Sequence, residues 1–575
     1  MTTRDSAAVA FDIDIDIDID IDIDIDEEES TDFAPAVLDP AHIGDIEGAL
    51  GTVSMLDRAA RRSWKRRMLT FAAIMGPGLI VMVGDNDAGG VQTYTQAGQR
   101  FGYSLLWVLL LLLPVLLIAQ EMVARLGTVT GVGHARLIRE RFGRAWAAFA
   151  VLDLFVLNFL TLLTEFIGIY FGLGYFGVPK LLSVSVAGVM LFAVAATGRF
   201  RWWERFMFAV ILGSFVFVPA ALLAHPHWGP IGFHFVVPGV AGGVSGSAIL
   251  LIVALIGTTV APWQLFFQQS NVLDKRISPR WLNYERLDTF TGGVITTVAA
   301  AGMIVFGAAL YHTRAFGPSA TYTDSGWFNH AIAITLGPVA GGIAAIMLVF
   351  ASLVGAGAVS LSTSYAFGDS FNRHHSLHRT VRTAPLFYGA YGVQILLACL
   401  IVALGTNAFL GTATQYVQVL AGILLPSAVL FLVLLCNDTD VLGPWVNGPV
   451  INFFAITIVS VLVVLSLDLT IATLFPQLNG VRLTEICFAG AGAVAAVLAP
   501  AVLWARRRRI DREELVDERA AARALDRTTW RMPRLEQLPK PRKTLLRTAS
   551  VYSLRVYLVV AVAVVGVKVF SPFLH

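Results

Sequence analysis

Two carboxylates and one amide side chain lie inside the first long apolar stretch of the chain. Asp85, Asn86 and Asp87 occur together in the glycine-rich segment 84–90, directly after the apolar run 77–83. An ionisable group in the middle of a bilayer costs several kcal/mol by most measures, so residues of this kind usually have a function. The stretch contains no Lys or Arg that would neutralise the two carboxylates. A cation is the simplest counter-charge, and oxygen-bearing side chains favour a hard divalent cation.

A second apolar stretch contains residues that interrupt a helix. Gly257 and Pro262 lie near the middle of the segment 245–270, which also lacks Lys and Arg. Glycine and proline break the helical hydrogen-bond ladder there, and they free carbonyl oxygens that hydrocarbon would not tolerate but a cation could use. The second stretch therefore predicts backbone ligands for the same cation.

The composition requires that membrane-spanning helices position both stretches. The 575 residues are 56% hydrophobic and 14% charged, and the mean hydropathy is +0.69, which is too apolar for a water-soluble chain of this length. Apolar segments of about 20 residues or more recur from residue 69 onward. We place the spans near 69–98, 104–126, 146–175, 181–197, 204–224, 245–270, 289–311, 332–368, 384–404, 413–436, 449–475, 484–505 and 553–571.

Basic residues predict the orientation of these spans. Six Lys and Arg residues between 58 and 67 precede the first span, and further basic residues follow the second, fourth, sixth, eighth and twelfth spans. The positive-inside rule then places the amino end in the cytoplasm. Short loops and the lack of a targeting segment fit a multi-pass protein of a bacterial inner membrane.

The two interrupted spans are the first and the sixth, and this spacing is typical of a transporter built from inverted repeats with its site at the membrane midplane. We divide the chain into a disordered acidic tail (1–56), which contains alternating Ile and Asp over 12–26, and a transport core (57–440). Additional helices (441–505), a basic cytoplasmic linker (506–552) and a last membrane helix (553–575) are predicted to follow.

Several function classes are disfavoured by composition. A net charge of +2 gives no support for a nucleic-acid partner. The three cysteines show no spacing of a zinc site or a disulfide framework. No nucleophile and base at useful spacing indicate an enzyme. We expect contacts with membrane lipid and no resident cofactor. The sequence does not set the oligomeric state, and a monomer is compatible with it.

Short motifs of the chain resemble those of the natural resistance-associated macrophage protein (NRAMP) family of divalent-metal transporters. The similar segments are MGPG at 75–78, DAGG at 87–90, QAG at 96–98, FGY at 101–103, RLG at 125–127, VTG at 129–131 and Ala261-Pro262. The resemblance covers roughly residues 66–470. It implies an all-α polytopic membrane protein with a LeuT-like fold, in which two inverted five-helix repeats contain broken helices 1 and 6 among about 12–13 transmembrane helices.

The chain departs from this family at the positions that bind the metal. The family's Asp-Pro-Gly-Asn motif is DAGG here, so Asp87 keeps the carboxylate ligand while Gly90 replaces an Asn ligand. The family's Met-Pro-His motif is Ala261-Pro262-Trp263, which removes a soft thioether ligand that favours transition metals. Smaller residues at 90 and 261 should enlarge the cavity and suit a partly hydrated ion such as Mg²⁺.

Groups that the resemblance links to proton coupling are mostly replaced. A family His corresponds to Gln268 and a third-span Asp to Leu162, whereas Glu165 is retained. Glu165 remains open between a proton or cation relay and a protonated structural carboxylate. Gln418 remains open between a pathway residue and polar contact between helices.

These arguments give one set of candidate residues. The predicted metal-site residues are Asp87, Asp85, Asn86, Gly84, Gly90, Thr258, Ala261 and Gln264. The predicted cavity-lining residues are Trp263, Gln268, Glu165 and Gln418. We expect the carbonyls near Gly84 and Thr258 to face the ion. Trp263 has two interpretations, as a wall of the cavity or as a packing residue.

The same departures are similar to those of a prokaryotic magnesium-transporter branch of the family. This resemblance implies inward movement of Mg²⁺, and of Mn²⁺ as a second substrate, by alternating access without proton coupling. The nearest alternative is a conventional proton-coupled Mn²⁺ or Fe²⁺ transporter. A membrane sensor that has kept the fold and lost transport is a further alternative, against which the retained Asp87 and both helix breaks argue.

Overall fold

The computed structural model describes residues 36–474 except 58, isolated positions between 482 and 492, and residues 520–541 except 528, 529 and 540. Helices dominate this part of the chain. They are α1 (Trp64–Ile74), α2 (Pro77–Val83), α3 (Ala88–Phe101), α4 (Leu106–Thr130), α5 (His134–Phe142), α6 (Arg144–Tyr175), α7 (Lys180–Ala195), α8 (Phe200–Ser214), α9 (Phe217–Leu223), α10 (Trp228–Val236), α11 (Gly246–Thr259), α12 (Pro262–Asp274), α13 (Leu282–Ala308), α14 (Ser325–Leu336), α15 (Pro338–Phe371), α16 (Pro385–Leu404), α17 (Asn407–Cys436), α18 (Thr439–Leu442) and α19 (Pro449–Leu474). The only strands of the described part are β1 (Ile46–Gly48) and β2 (Gly51–Val53), which pair as an antiparallel hairpin.

Eight spans within the described residues are long and apolar enough to cross a membrane. The number rises to ten when the two sharply bent helix pairs are each counted as one span. One of these pairs is α1 with α2, which meet at an angle of 57°. Helix α7 is apolar but shorter than these eight spans. The predicted spans near 484–505 and 553–571 fall almost entirely outside the described residues, as does most of the linker 506–552.

Both predicted helix interruptions are present. The first span is divided into α1, α2 and α3, with a non-helical stretch at 84–87 between the last two. The sixth span is divided into α11 and α12 by Val260 and Ala261. Pro262 occupies the first turn of α12, where a missing N–H costs little. Asp87 caps α3 because its side chain accepts the N–H of Gly90.

Glycines allow helices α6 and α15 to approach closely beside the first break. A Cβ added at Gly168 of α6 would lie 2.7 Å from the Cβ of Ala88, and one added at Gly172 would lie 2.5 Å from Val349 Cγ2 of α15. Close helix contact through small residues is the usual way to pack helices in a bilayer. This packing brings α6, α15 and the start of α3 to one place.

The predicted disordered tail is wrong for residues 36–56. This segment forms a short 3₁₀ turn at Pro40–His42 and the β1–β2 hairpin, and it packs against the ends of several helices. Ile46 and Val53 of the hairpin share a buried cluster with Ile74 of α1 and Val272 of α12. The alternating Ile and Asp run at 12–26 lies outside the described residues. The amino-terminal boundary of the packed core is therefore at least twenty residues earlier than predicted.

Polar contacts hold the same segment in place. Asp39 accepts hydrogen bonds from Arg379 Nη2 at 2.7 Å and from the N–H of His375 at 3.0 Å. Burial would raise the pKa of Asp39, but the hydrogen bond from Arg379 and the nearby His42 hold this pKa below its usual value. The N–H of Ala49 donates to Glu204 Oε2 of α8 at 2.5 Å. The segment 36–56 thus joins α1, α8 and the loop after α15.

Candidate functional site

The candidate site is centred on the non-helical stretch between α2 and α3. Asp87 accepts the N–H of Gly90 at 2.7 Å through Oδ1, which fixes the carboxylate at the amino end of α3. The positive end of the helix dipole favours a negative charge at this position. Asp87 also contacts Glu165 of α6 side chain to side chain.

Glu165 of α6 contacts the first turn of α3. Its Oε2 accepts the N–H of Ala88 at 3.0 Å. A Cβ at Gly355 of α15 would lie 2.7 Å from Glu165 Oε2 and 2.9 Å from Asp87 Cβ. Gly355 therefore provides the space in which the two carboxylates meet.

Asp85 connects the first break to the second. Gln264, in the first turn of α12, donates through Nε2 to Asp85 Oδ1. Gln120 of α4 in turn donates to Gln264 Oε1 at 3.1 Å. The second oxygen of Asp85 is buried and has no hydrogen-bond partner. This arrangement leaves one carboxylate oxygen free for a cation or for a water on a cation.

Asn86 and Thr258 provide further oxygen atoms. Asn86 donates through Nδ2 to the carbonyl of Thr296 in α13 at 3.2 Å, while its own Oδ1 is buried without a partner. The hydroxyl of Thr258, near the end of α11, is likewise buried without a partner. Burying a polar atom without a hydrogen bond is costly, so these atoms mark where a ligand or water would be stabilised.

Trp263 and Gln418 pack directly on glycines of the first span. A Cβ at Gly84 would lie 3.1 Å from Trp263 Cη2, and a Cβ at Gly89 would overlap Gln418 Nε2 of α17. The Trp263 carbonyl also accepts the hydroxyl of Ser362 at 3.0 Å. Both side chains therefore border the break at 84–87.

The space expected beside Gly90 is already filled. A Cβ at this position would lie 2.9 Å from the carbonyl oxygen of Asp85 and 3.3 Å from the ring of Tyr94. The loss of a side chain at 90 therefore tightens the turn around Asp87 and does not enlarge a cavity there. Ala261, which caps α12 without a side-chain hydrogen bond, is the remaining position where a larger family side chain is absent.

The structure places Gln268 apart from the other predicted residues. It lies one turn beyond Gln264 on α12 and donates to Thr289 Oγ1 at 2.8 Å and to Glu285 Oε1 at 3.2 Å, both on α13. Neither carboxylate of the first break is among its hydrogen-bond partners. Gln264 and Gln268 are four residues apart, so the rise of the α-helix separates them by about 6 Å along the helix axis.

The site is closed to solvent and rich in oxygen. Asp85, Asp87 and Glu165 are buried, with exposed fractions of 1%, 4% and 0%. No Lys, Arg or His of the described chain forms an ion pair with any of them. No three His, Cys, Asp or Glu side chains within those same residues converge as a complete metal cage. Such a set fits a cation that keeps several waters and takes only one or two carboxylates.

Sequence reasoning missed three positions that the structure brings to the site. Gln120 is a polar residue within an apolar helix, which is a signal that could have identified it. Thr296 contributes only a backbone carbonyl, and Gly355 contributes only the lack of a side chain. Neither contribution has a signature in the local sequence.

Known proteins are similar to this chain in sequence. The family model described as natural resistance-associated macrophage protein-like matches residues 78–472. A divalent metal cation transporter MntH of Ralstonia nicotianae is 29% identical over 410 residues, which cover 67% of this chain and 86% of that protein. A protein of the same name from Latilactobacillus sakei is 28% identical over 436 residues, covering 71% and 90%.

A solved structure supports the fold assignment. The crystal structure of the manganese transporter of Eremococcus coleocola, in complex with an aromatic bis-isothiourea substituted compound, superimposes with a TM-score of 0.61. The identity is 19%, and the match covers 77% of this chain and 96% of that one. The predicted LeuT-like fold with two broken helices is therefore confirmed.

Proposed function

Because the chain belongs to the natural resistance-associated macrophage protein-like family, we propose that it carries a divalent metal cation across a membrane by alternating access. The relatives named above are divalent metal cation transporters. The observation that carries the proposal is the pair of buried carboxylates at the break between α2 and α3, which have no basic partner in the described chain. A buried anion without a partner is strongly unfavourable, and a bound cation removes that cost.

Mg²⁺ is the preferred substrate in this proposal, with Mn²⁺ as a second one. The site residues offer carboxylate, amide and hydroxyl oxygens, and Ala261 stands where the family has a thioether. Hard oxygen ligands suit Mg²⁺ and Mn²⁺, whereas sulfur favours softer transition metals. The unpartnered oxygen of Asp85 and the hydroxyl of Thr258 suit the outer waters of a partly hydrated ion.

We further propose that transport proceeds without coupled proton movement. Leu162 and Gln268 replace two family groups that the resemblance links to proton coupling. The amide of Gln268 donates hydrogen bonds to Glu285 and Thr289 of α13. Uptake would then follow the electrochemical gradient of the cation alone. The amino end and the hairpin would lie on the cytoplasmic side of a bacterial inner membrane, as the basic residues before the first span predict.

One observation favours the conventional proton-coupled mechanism as the second candidate. Asp87 and Glu165 contact each other in a buried place, and two carboxylates in contact share a proton readily. Entry of a cation at Asp87 would release that proton. The two candidates therefore differ in whether a proton crosses the membrane with the ion.

Proteoliposomes that contain two dyes distinguish the candidates. One dye reports internal Mg²⁺ and the other reports internal pH, and the external solution contains either Mg²⁺ or Mn²⁺. The proposal expects entry of Mg²⁺ without acidification. Entry of Mn²⁺ with acidification and without any Mg²⁺ signal would instead establish the proton-coupled candidate.

A further inference from the structure

Polar residues continue along α12 beyond the candidate site, toward the end that the hairpin covers. Gln264, Gln268 and Lys275 are spaced by four and seven residues, which keeps them close to one helical face. The first contacts Asp85, the second contacts Glu285 of α13, and the third contacts Glu204 of α8. All three are fully or almost fully buried. Buried ionisable residues within membrane helices, such as Lys275 and its neighbour Glu204, usually mark a substrate or ion pathway.

The middle of this row contains two oxygen atoms without partners. Glu285 Oε2 and Gln268 Oε1 are both buried and accept no hydrogen bond. The amide nitrogen of Gln268 lies 3.2 Å from the other oxygen of Glu285, so the two unpartnered atoms belong to side chains that touch. One carboxylate oxygen and one amide oxygen are typical ligands for a partly hydrated hard cation.

The charges around this pair are unbalanced. Three buried carboxylates, Glu204, Glu285 and Asp288, are accompanied by the ammonium group of Lys275, and the guanidinium group of Arg201 also acts on Glu204. The Nζ of Lys275 donates to Glu204 Oε1 at 2.5 Å and to the carbonyl of Met75 at 2.7 Å.

The other carboxylates are satisfied by their own partners. Asp288 accepts the backbone N–H groups of Gly76, Gly78 and Leu79 at the start of α2. Glu204 accepts Lys275 and the N–H of Ala49. Glu285 is therefore the member of the group that retains a carboxylate oxygen without a hydrogen-bond partner.

We propose that Glu285 and Gln268 form a second cation station, which a divalent ion occupies between the helix breaks and the hairpin side of the membrane. The inference rests on the proposed function, because it needs an ion that leaves the first site. Gln264 and Gln268 are one turn apart on α12, so an ion that leaves Asp85 meets the second pair about 6 Å further along the helix. The Lys275–Glu204 pair closes the station on its far side.

Binding of Mn²⁺ to the purified full-length protein, followed by electron paramagnetic resonance, tests the station directly. The variant Asp87→Ala removes one of the two carboxylates of the first site and should retain a weaker Mn²⁺ site. The double variant that combines Asp87→Ala with Glu285→Gln should lose that remaining site. Asp153→Asn, added to Asp87→Ala, is the matched control, because Asp153 is a carboxylate of α6 that contacts Ser427 at 3.1 Å. Removal of the Asp153 charge should leave the weaker Mn²⁺ site of the Asp87→Ala protein intact.

Uptake by the single variant Glu285→Gln provides the second measurement. We expect a maximal rate at least about tenfold lower, with little change in the concentration of half-maximal uptake. Lack of Mn²⁺ binding by Asp87→Ala, or binding that persists in the double variant, would overturn the station. Failure of the wild-type protein to take up any divalent cation would instead overturn the proposed function. Unfolding temperature and gel-filtration profile establish that each variant is folded.

Discussion

The two helix breaks of this protein are built differently. The break between α2 and α3 contains four residues, three of which have polar side chains, and each of these side chains is held by another element. The break between α11 and α12 contains only Val260 and Ala261, which are apolar. Its polar contributions come from the flanking helical turns, through Thr258 and Gln264. The first break thus supplies charge, whereas the turns beside the second supply neutral oxygen atoms.

This difference separates two properties of a cation site. A charged ligand determines whether a divalent cation is bound at all, because it provides most of the compensation for lost hydration. Neutral ligands and cavity size determine which ion is preferred. Substitutions in the first break should therefore affect binding of every cation, and substitutions in the second should change the ranking of cations.

The substitution Asp87→Ala should have the largest effect. It removes the carboxylate that caps α3 and contacts Glu165, so uptake of Mg²⁺ and Mn²⁺ should fall by on the order of 100-fold or more. Uptake into proteoliposomes measures the loss. Loss of the cap costs only about 1 kcal/mol of stability, so the variant should remain folded. Uptake at the wild-type rate would show that the first break is not the binding site.

The substitution Gln264→Ala tests the connection between the two breaks. It removes the donor to Asp85 and the acceptor of Gln120, and a hydrogen bond to a charged group contributes about 1.5–3 kcal/mol. We expect the affinity for both Mg²⁺ and Mn²⁺ to fall by about tenfold to 100-fold, measured by isothermal titration calorimetry. Gln394→Ala is the matched control, since its amide donates to the carbonyl of Ser360 at 2.9 Å, outside the site. Equal losses in the two variants would contradict a specific role for Gln264.

The substitution Ala261→Met should change the preference among cations. A thioether at this position restores a soft ligand, so affinity for Mn²⁺ or Cd²⁺ relative to Mg²⁺ should rise by about tenfold, equivalent to about 1.4 kcal/mol. Competition of each ion with Mg²⁺ uptake measures the ratio. An unchanged ratio would show that the second break does not determine which cation the protein prefers.

The substitution Thr258→Val should have the smallest effect. It removes the unpartnered hydroxyl and keeps the shape of the side chain and the backbone carbonyl. Affinity for Mg²⁺ should fall by about two- to fivefold, equivalent to about 0.5–1 kcal/mol, which titration calorimetry resolves. A loss as large as that of Asp87→Ala would show that the hydroxyl binds the ion directly.

The sequence predicts the fold and the location of the breaks well, for a physical reason. Gly, Pro and Asp are conspicuous within an apolar helix, so the segments 84–90 and 257–264 are visible without a structure. Contacts made by ordinary residues are not visible. Nothing in the sequence distinguishes Gly355 from other glycines of α15, although it is the one that makes room for Asp87 and Glu165.

Short polar segments were harder to interpret than apolar ones. The acidic repeat at 12–26 suggested that residues 1–56 lack structure, and this was wrong for the hairpin. The hairpin strands have three residues each, too short for a clear alternating pattern. Their order comes from contacts with distant residues such as Glu204, which sequence alone does not pair with Ala49.

The hairpin also has a consequence for the conformational equilibrium of the helices. It touches α1 through Gly51, where an added Cβ would lie 3.2 Å from Ala73 Cβ, and it touches α8 through Ala49. These contacts exist together only while α1 and α8 keep their present separation. The segment therefore behaves as a ligand tethered to the chain, which binds one arrangement of the helices and shifts their population toward it. Any motion that separates α1 from α8 must first release this tethered ligand from one of its two surfaces.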